Sequence, residues 1–254
     1  MKILVLMKQV ANKDAILRIN KDSSWIEEAD LSFEVNESDG YALEEALRIK
    51  EKVGGEVVVV SMGPQRAKSV IKDALARGAD RAIHVVGDNV VHLSPFAAAS
   101  VLAEAIRGES ADLVMTGLQS DDYGYAQTGV ILAEILGLPH ATIVIEVDAG
   151  GEQLRVKREL ESGWYQWYTM PRPALLTIQS GISQIRYATL KGIMAAKKKE
   201  IKVVAAPSPA AAARQRITSI YLPQKQKQTR MITGSPAEAA KELVRALRED
   251  ARVF

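Results

Sequence analysis

The sequence predicts an α/β fold: an open, mostly parallel nucleotide-binding sheet with helices on both faces, antiparallel edge strands and a C-terminal arm. Short apolar runs alternate with helical patterns as far as Leu138-Pro139. The runs are continuously rich in Val, Ile and Leu, which is typical of strands buried on both faces. A change to hairpin-like spacing after Pro139 predicts the antiparallel strands. Ligands of open sheets bind beyond the carboxyl ends of the strands.

The first part of the chain accounts for the parallel sheet. Its predicted strands are residues 3–7, 56–61, 81–86 and 112–116. The helices predicted between and after them are residues 38–53, 64–77, 94–106 and 128–136. In the first helix, Ala42, Ala46, Ile49 and Val53 recur at helical spacing. Strand and helix alternation of this kind forms right-handed crossovers.

The second part is predicted to extend the sheet at an edge. Its predicted strands are residues 140–147, 154–160, 164–170 and 174–179. Turn signals at 148–151 and 161–163 indicate hairpins between them. A loop and a basic helix are predicted over 181–201.

The sequence divides into a nucleotide-binding domain, residues 1–203, and an arm, residues 204–254. The arm opens with a Pro- and Ala-rich linker and ends in an amphipathic helix. Ser235 and Pro236 start that helix, with Glu238 three residues after the cap. Composition leaves open whether the arm packs on a partner chain or folds back on its own domain.

Composition excludes several classes of function. The 33 basic and 31 acidic residues nearly balance, so nothing predicts binding to nucleic acid or to a membrane surface. The chain has no cysteine, which rules out disulfides and cysteine-ligated metal centres, so a redox role requires a bound organic cofactor. No apolar run approaches the ~18 residues of a spanning helix. The N-terminal apolar run is too short for a signal peptide, so we expect a cytoplasmic protein without direct membrane insertion.

No catalytic or metal site is predicted. The chain lacks a P-loop, a Gly-x-Gly-x-x-Gly turn after the first strand and a Gly-x-Ser-x-Gly elbow. Its histidines, His84, His92 and His140, are far apart in sequence and are interpreted as structural.

Two segments favour a nucleotide site. Residues 36–39, Asn-Glu-Ser-Asp, precede the first helix, where they can cap it or open its N-terminus to an anion. Residues 117–129 follow a buried strand, precede a helix and combine glycines with Gln, Ser and Thr. Backbone N–H groups there can hold a phosphate, although a polar surface turn has the same composition.

A third segment, residues 186–199, favours a docking surface. Leu190, Ile193 and Met194 stand among basic residues outside the strand pattern. Gly192 allows a turn that lifts Leu190 off the body of the protein. The alternative is a helix with a buried apolar stripe and a solvated lysine end.

Together these segments resemble the β-subunit family of electron-transfer flavoproteins. The matching stretches run in register from the first strand to about residue 203: Asn36 with 42–46, then 61–64, 74–81, 117–129, 156–159 through 173–177, 186–190 and 193–194. The arm carries little of the resemblance.

The resemblance implies a heterodimer in which the larger (α) subunit holds most of the FAD and the β subunit binds structural AMP. The family's AMP contacts fall on Leu6, Asn36, Glu37, Ser38, Asp39, Met62, Gly117, Leu118, Gln119, Ser120, Asp121, Asp122, Tyr123, Gly124, Tyr125, Ala126, Gln127 and Thr128.

The resemblance also implies partner contacts. Residues 187–199 match the family's recognition loop, whose partner-facing residues here are Tyr187, Leu190, Ile193 and Met194. Leu190 would anchor in a dehydrogenase pocket, and Glu159 would contact the flavin domain of the larger subunit. Electrons would pass from dehydrogenases, such as the acyl-CoA dehydrogenases of fatty acid oxidation, towards a membrane quinone oxidoreductase.

Two departures from the family pattern keep alternatives open. The family's acidic run is Asp121-Asp122-Tyr123-Gly124 here, and the Gly-Gly of its signature is Ser162-Gly163, followed by the aromatic-rich run 164–167. Electron-bifurcating relatives bind a second FAD in place of AMP and have proline where this chain has Val130. An adenine-nucleotide-dependent enzyme would need a pyrophosphate loop after the first strand, where residues 8–11 read Lys-Gln-Val-Ala.

Overall fold

The computed structural model describes residues 1–207, 213–223 and 229–253. The chain forms two compact units, Met1–Thr218 and Ser219–Phe254, and each is described by itself. Residues 208–212 of the predicted linker, and 224–228, lie outside the described residues.

Unit 1 is built on one large sheet. In chain order the strands are β1 Lys2–Leu6, β2 Gln9–Ala11, β3 Phe33–Val35, β4 Glu56–Gly63, β5 Arg81–Val86, β6 Leu113–Gly117, β7 His140–Asp148, β8 Leu154–Glu159, β9 Tyr165–Met170, β10 Ala174–Ile178 and β11 Ile201–Ala205. Nine of them pair in the order β11-β5-β4-β1-β6-β10-β7-β8-β9, while β2 and β3 form a small antiparallel sheet. Only β7–β8 and β8–β9 pair antiparallel within the nine strands. The predicted fold class is confirmed.

Helices cover both faces of the large sheet. They are α1 Glu37–Val53, α2 Lys68–Arg77, α3 Pro95–Ile106, α4 Thr128–Leu136 and α5 Leu190–Ala196, with α6 Pro236–Arg245 in unit 2. One buried cluster joins β1 to α1 and α2 through Ile3 and Val5. The other joins β1 to α3 and α4 through Leu4 and Leu6. The runs are continuously apolar because both faces of each strand are buried.

The position of β10 corrects the edge prediction. Strands β7, β8 and β9 extend the sheet at one edge, but β10 lies between β6 and β7 and is parallel to both. All five residues of β10 are buried. That pattern is typical of a central strand, because an edge strand keeps one face or edge in contact with water.

Three strands were missed. β2 and β3 are only three residues long, and β11 occupies part of the predicted loop and linker. β11 is the opposite edge of the sheet, where Lys202 and Val203 are exposed. Its mixed polarity hid it, because a half-exposed edge strand lacks the continuous apolar run of the interior strands.

Unit 2 contains the predicted C-terminal helix. Ser235 and Glu238 form a reciprocal capping box at the start of α6, with Pro236 in its first turn. Leu243 and Val244 on this helix are exposed within the chain. None of the helices in the described ranges is long and apolar enough to cross a membrane.

Candidate functional site

A cleft opens beyond the carboxyl ends of β1, β4 and β6, where an open parallel sheet places its ligands. Leu6 ends β1, Met62 lies near the end of β4, and Gly117 ends β6. Of the predicted AMP contacts, those that line the cleft are Leu6, Asn36, Asp39, Met62, Gly117, Leu118, Gln119, Ser120, Tyr123, Tyr125, Ala126, Gln127 and Thr128. Their role as nucleotide contacts stays a prediction.

Residues 36–39 hold the loop after β6 in place. Asn36 occupies the N-cap position of α1 but makes no side-chain cap bond, so the capping interpretation is wrong for its side chain. Instead its amide donates to the Gln119 carbonyl at 2.9 Å, and its side-chain oxygen accepts from the Asp121 N–H at 2.8 Å. The Ser38 hydroxyl donates to the same Gln119 carbonyl at 2.7 Å.

The buried Asp39 carboxylate joins three parts of the chain. One oxygen accepts from the Gly117 N–H at 2.9 Å and the other from the Lys8 N–H at 2.7 Å. Burial raises the pKa of Asp39 to about 7, against the opposing effect of these hydrogen bonds. Gly117 must be glycine, because a Cβ there would lie 2.2 Å from the Ser38 hydroxyl oxygen.

The end of the 117–128 loop supplies a helix N-terminus. α4 begins at Thr128, and Gln127 at its N-cap makes no side-chain cap bond. The N–H groups of a first helical turn have no partner within the helix, so this end of the cleft carries backbone donors and a partial positive charge.

An aromatic cluster that the sequence reasoning missed lies against the cleft. Tyr123 stacks between Trp25 and Tyr125, with ring centroids 4.8 and 5.4 Å apart. The Tyr123 hydroxyl shares a hydrogen bond with Nδ1 of His92 at 3.0 Å. Tyr123 stands where the family pattern differs, and that departure was the one available signal. Trp25 and His92 come from distant segments, and nothing in the sequence indicated that they lie here.

Lys8 is a second missed residue. Its ammonium group pairs with Asp122 at 2.6 Å and lies 4.3 Å from the centre of the Tyr123 ring. Burial lowers the pKa of Lys8, opposed chiefly by Asp122. The 117–129 loop has no cation of its own, so the fold brings one to the cleft from the end of β1.

The remaining predicted contacts do not line the cleft. The Glu37 N–H donates to the Asp121 carboxylate at 3.0 Å, which fixes the loop to the start of α1. The Asp122 carboxylate forms an ion pair with Lys8, and Gly124 is exposed. Ser38, as described above, bonds to Gln119.

The 187–199 segment presents apolar side chains to solvent. Leu190 is 84% exposed, and Tyr187, Ile193 and Met194 are exposed as well. The alternative of a buried stripe through these residues is therefore wrong. Leu190 begins α5, with the Thr189 side chain as its N-cap, so it projects from a short helix and not from a turn made by Gly192.

Glu159, His84 and His140 lie away from the cleft. Glu159 ends β8 and accepts from the Gln179 side chain at 3.3 Å. His84 is buried in β5 beside the Gly63 carbonyl, and His140 is exposed at the start of β7. Across the described ranges, no group of three or more His, Cys, Asp or Glu residues could hold a metal ion.

Comparison with known proteins places this architecture in a family. The model of the electron transfer flavoprotein domain matches residues 24–209. The chain belongs to the electron transfer flavoprotein family. The resemblance seen in its motifs is thereby confirmed.

Three relatives that align over nearly their full length are named electron transfer flavoprotein subunit beta. The one from Methylophilus methylotrophus is 37% identical over 261 residues, covering 98% of each chain. The one from Bos taurus is 33% identical over all of this chain and 99% of its own. The one from Bacillus subtilis is 31% identical over the full length of both.

The two kinds of match differ at the C-terminus. The electron transfer flavoprotein domain ends at residue 209, whereas the full-length alignments continue through the arm. The full-length alignments therefore include residues 204–254, although residues 1–203 carry most of the recognisable motifs.

Proposed function

We propose that this chain is the β subunit of a heterodimeric electron-transfer flavoprotein and that it binds AMP as a structural nucleotide in the cleft. The cleft itself carries the proposal. It lies at the ends of β1, β4 and β6 and has the uncapped N-terminus of α4 in its wall. An open sheet binds nucleotides at this position, and a helix N-terminus favours a phosphate.

The residues of the cleft fit an adenine mononucleotide. Leu6, Met62 and Leu93 give it an apolar wall suited to a base. The first turn of α4 supplies N–H donors for a phosphate, and Lys8 supplies a cation nearby. Asp39 and Asn36 act indirectly, because their side chains fix the loop that forms the wall.

FAD would be held chiefly by the larger subunit and would supply the electron-accepting chemistry. The residues of this chain then support that cofactor without forming or breaking bonds. We assign Glu159 to contact with the flavin domain, and Tyr187, Leu190, Ile193 and Met194 to contact with the electron donor. The donors would be dehydrogenases such as acyl-CoA dehydrogenases, and the acceptor a membrane quinone oxidoreductase.

We assign the predicted arm, residues 204–254, to packing on the larger subunit from the end of β11 at Ala205 onward. Leu243 and Val244 of α6 are exposed within this chain, and an apolar helix face of this kind needs a partner surface. Expressed without the larger subunit, the chain should be poorly soluble or lack flavin. A stable, yellow, monomeric chain would contradict this assignment.

Co-expression with the larger subunit tests the function. The purified heterodimer should be yellow, and an acyl-CoA dehydrogenase with its substrate should bleach its flavin absorbance within the time of a steady-state assay. A panel of such dehydrogenases, with NADH as a separate donor, identifies the electron source. Failure of every donor would contradict the electron-carrier function. Hydrolysis of ATP above background, with magnesium present, would favour the adenine-nucleotide-dependent enzyme instead.

A further inference from the structure

The exposed helix α5 is seated on the C-terminal end of α2 at very short range. A Cβ atom on Gly192 would lie 2.2 Å from the carbonyl oxygen of Ala76. Gly192 lies inside the helix, so it does not form a turn. Its lack of a side chain instead allows α5 to pack close to α2. Any larger residue at this position must move α5 away from α2.

Lys199, just beyond α5, completes the contact. Its ammonium group donates to the Leu75 carbonyl at 2.9 Å and to the Ala79 carbonyl at 2.5 Å. These carbonyls lie at the C-terminal end of α2, where helix carbonyls lack intrahelical partners and favour a cation. The chain that follows α5 therefore caps α2.

Both flanks of α5 are also fixed to the body of unit 1. On the N-terminal side, the Arg186 guanidinium binds the carboxylates of Glu44 and Glu51 on α1. The Arg186 N–H also donates to Glu44 at 3.0 Å. On the C-terminal side, the Glu200 carbonyl accepts from the Ala82 N–H at 3.0 Å, where β11 joins the sheet.

These attachments hold α5 and its flanks on unit 1, while apolar side chains of the helix are exposed within this chain. Leu190 is 84% exposed and Met194 is 63% exposed. A single apolar anchor gives affinity only when it is held where the partner pocket needs it, because ordering a mobile anchor on binding costs free energy.

We propose that Gly192 and Lys199 are positioning residues for the dehydrogenase contact: they seat α5 on α2 and so fix where Leu190 projects. The proposal rests on the docking role given to Leu190 above. It adds that docking affinity depends on two residues that face away from the partner.

The proposal makes an unusual prediction for Gly192→Ala. Alanine has the higher intrinsic helix propensity, so in an exposed helix the change should strengthen α5. Here the added methyl group must displace α5 from α2. We therefore expect weaker docking from a substitution that local propensity favours.

A double-mutant cycle on the heterodimer separates positioning from a general structural effect. The variants are Leu190→Ala, Gly192→Ala and the double variant, assayed with the dehydrogenase that reduces the wild type. Gly192→Ala should raise the apparent KM for the flavoprotein about tenfold, with kcat and FAD content nearly unchanged. Leu190→Ala should raise the apparent KM about thirtyfold in the wild-type background but less than about threefold in the Gly192→Ala background.

Gly108→Ala is the matched control. Nothing lies within 4 Å of a Cβ at Gly108, so this variant should keep the wild-type KM. If Gly192→Ala fails to fold, Lys199→Met is the second variant. It keeps the aliphatic stem of the side chain and removes the two hydrogen bonds. It should raise KM and speed amide hydrogen exchange in α5, again without loss of FAD.

The outcomes distinguish this proposal from the proposed function. If no dehydrogenase reduces the wild type, the electron-carrier function fails. If the wild type is reduced, two results would overturn the positioning role. The first is that the effects of Leu190→Ala and Gly192→Ala on KM simply multiply in the double variant. The second is that Gly192→Ala and Lys199→Met leave both KM and amide hydrogen exchange in α5 unchanged.

Discussion

Residues 36–39 beside the cleft and the helix at 190–196 use their side chains in opposite ways. In the first segment, Asn36, Ser38 and Asp39 are buried and their polar atoms are bonded to distant parts of the same chain. On α5, the outward side chains of Leu190 and Met194 lie largely in solvent. The segment beside the cleft is therefore part of the folded body, whereas the exposed side chains of α5 contribute little to folding and can contact a partner. Substitutions in the two regions should therefore affect different measurements.

The largest expected effect comes from Asp39→Ala. The change leaves the buried N–H of Gly117 and the partly buried N–H of Lys8 without an acceptor, which should cost about 2–4 kcal/mol of stability. Thermal unfolding of the heterodimer should show a clear fall in Tm, together with loss of the bound nucleotide.

Asp121→Ala is the control for that substitution. Asp121 is exposed on the 117–128 loop and accepts one N–H, from Glu37. Its removal should cost less than about 1 kcal/mol. Equal Tm values for the two variants would mean that Asp39 does not hold the cleft together.

Leu190→Ala should have an intermediate effect on a different quantity. Truncating an apolar anchor costs about 2 kcal/mol of binding, roughly thirtyfold in affinity for the dehydrogenase. Steady-state kinetics should show a raised apparent KM for the flavoprotein, while FAD content and Tm stay nearly unchanged, because the side chain is exposed. A large fall in Tm with unaltered transfer kinetics would reject the docking role.

The last expected effect is a gradual dependence of stability on pH. Asp39 has its pKa raised to about 7 in the folded chain, from a usual 3.8, so between those values the folded state binds more protons than the unfolded state. Unfolding free energy should therefore fall as pH rises through this window, by up to about 1.4 kcal/mol per pH unit. Asp39→Asn does not titrate, so its stability should change less with pH from 4.5 to 6.5. Parallel pH profiles would contradict the raised pKa.

The parts of the fold that follow from local pattern could be predicted from the sequence. β1 is recognisable because Ile3 to Leu6 are apolar on both faces, and α6 because Ser235 and Glu238 form a capping box. The central place of β10 could not be predicted, because it depends on pairing with β6, far back along the chain.

The candidate site shows the same limit. The segments at 36–39 and 117–128 stand out in the sequence, yet the bond from Asn36 to Gln119 spans 83 positions and nothing local indicates it. Lys8 and Trp25 went unnoticed for the same reason. Each is an ordinary residue where it stands in the sequence, and the fold alone brings it to Tyr123.

The proposed function depends most on which nucleotide the cleft holds. The direct measurement is the cofactor content of the co-expressed heterodimer, released by denaturation and quantified by chromatography and absorbance. We expect about one FAD and one AMP per heterodimer, with AMP lost in Asp39→Ala before FAD. Two FAD and no AMP per heterodimer would contradict the account and favour an electron-bifurcating flavoprotein.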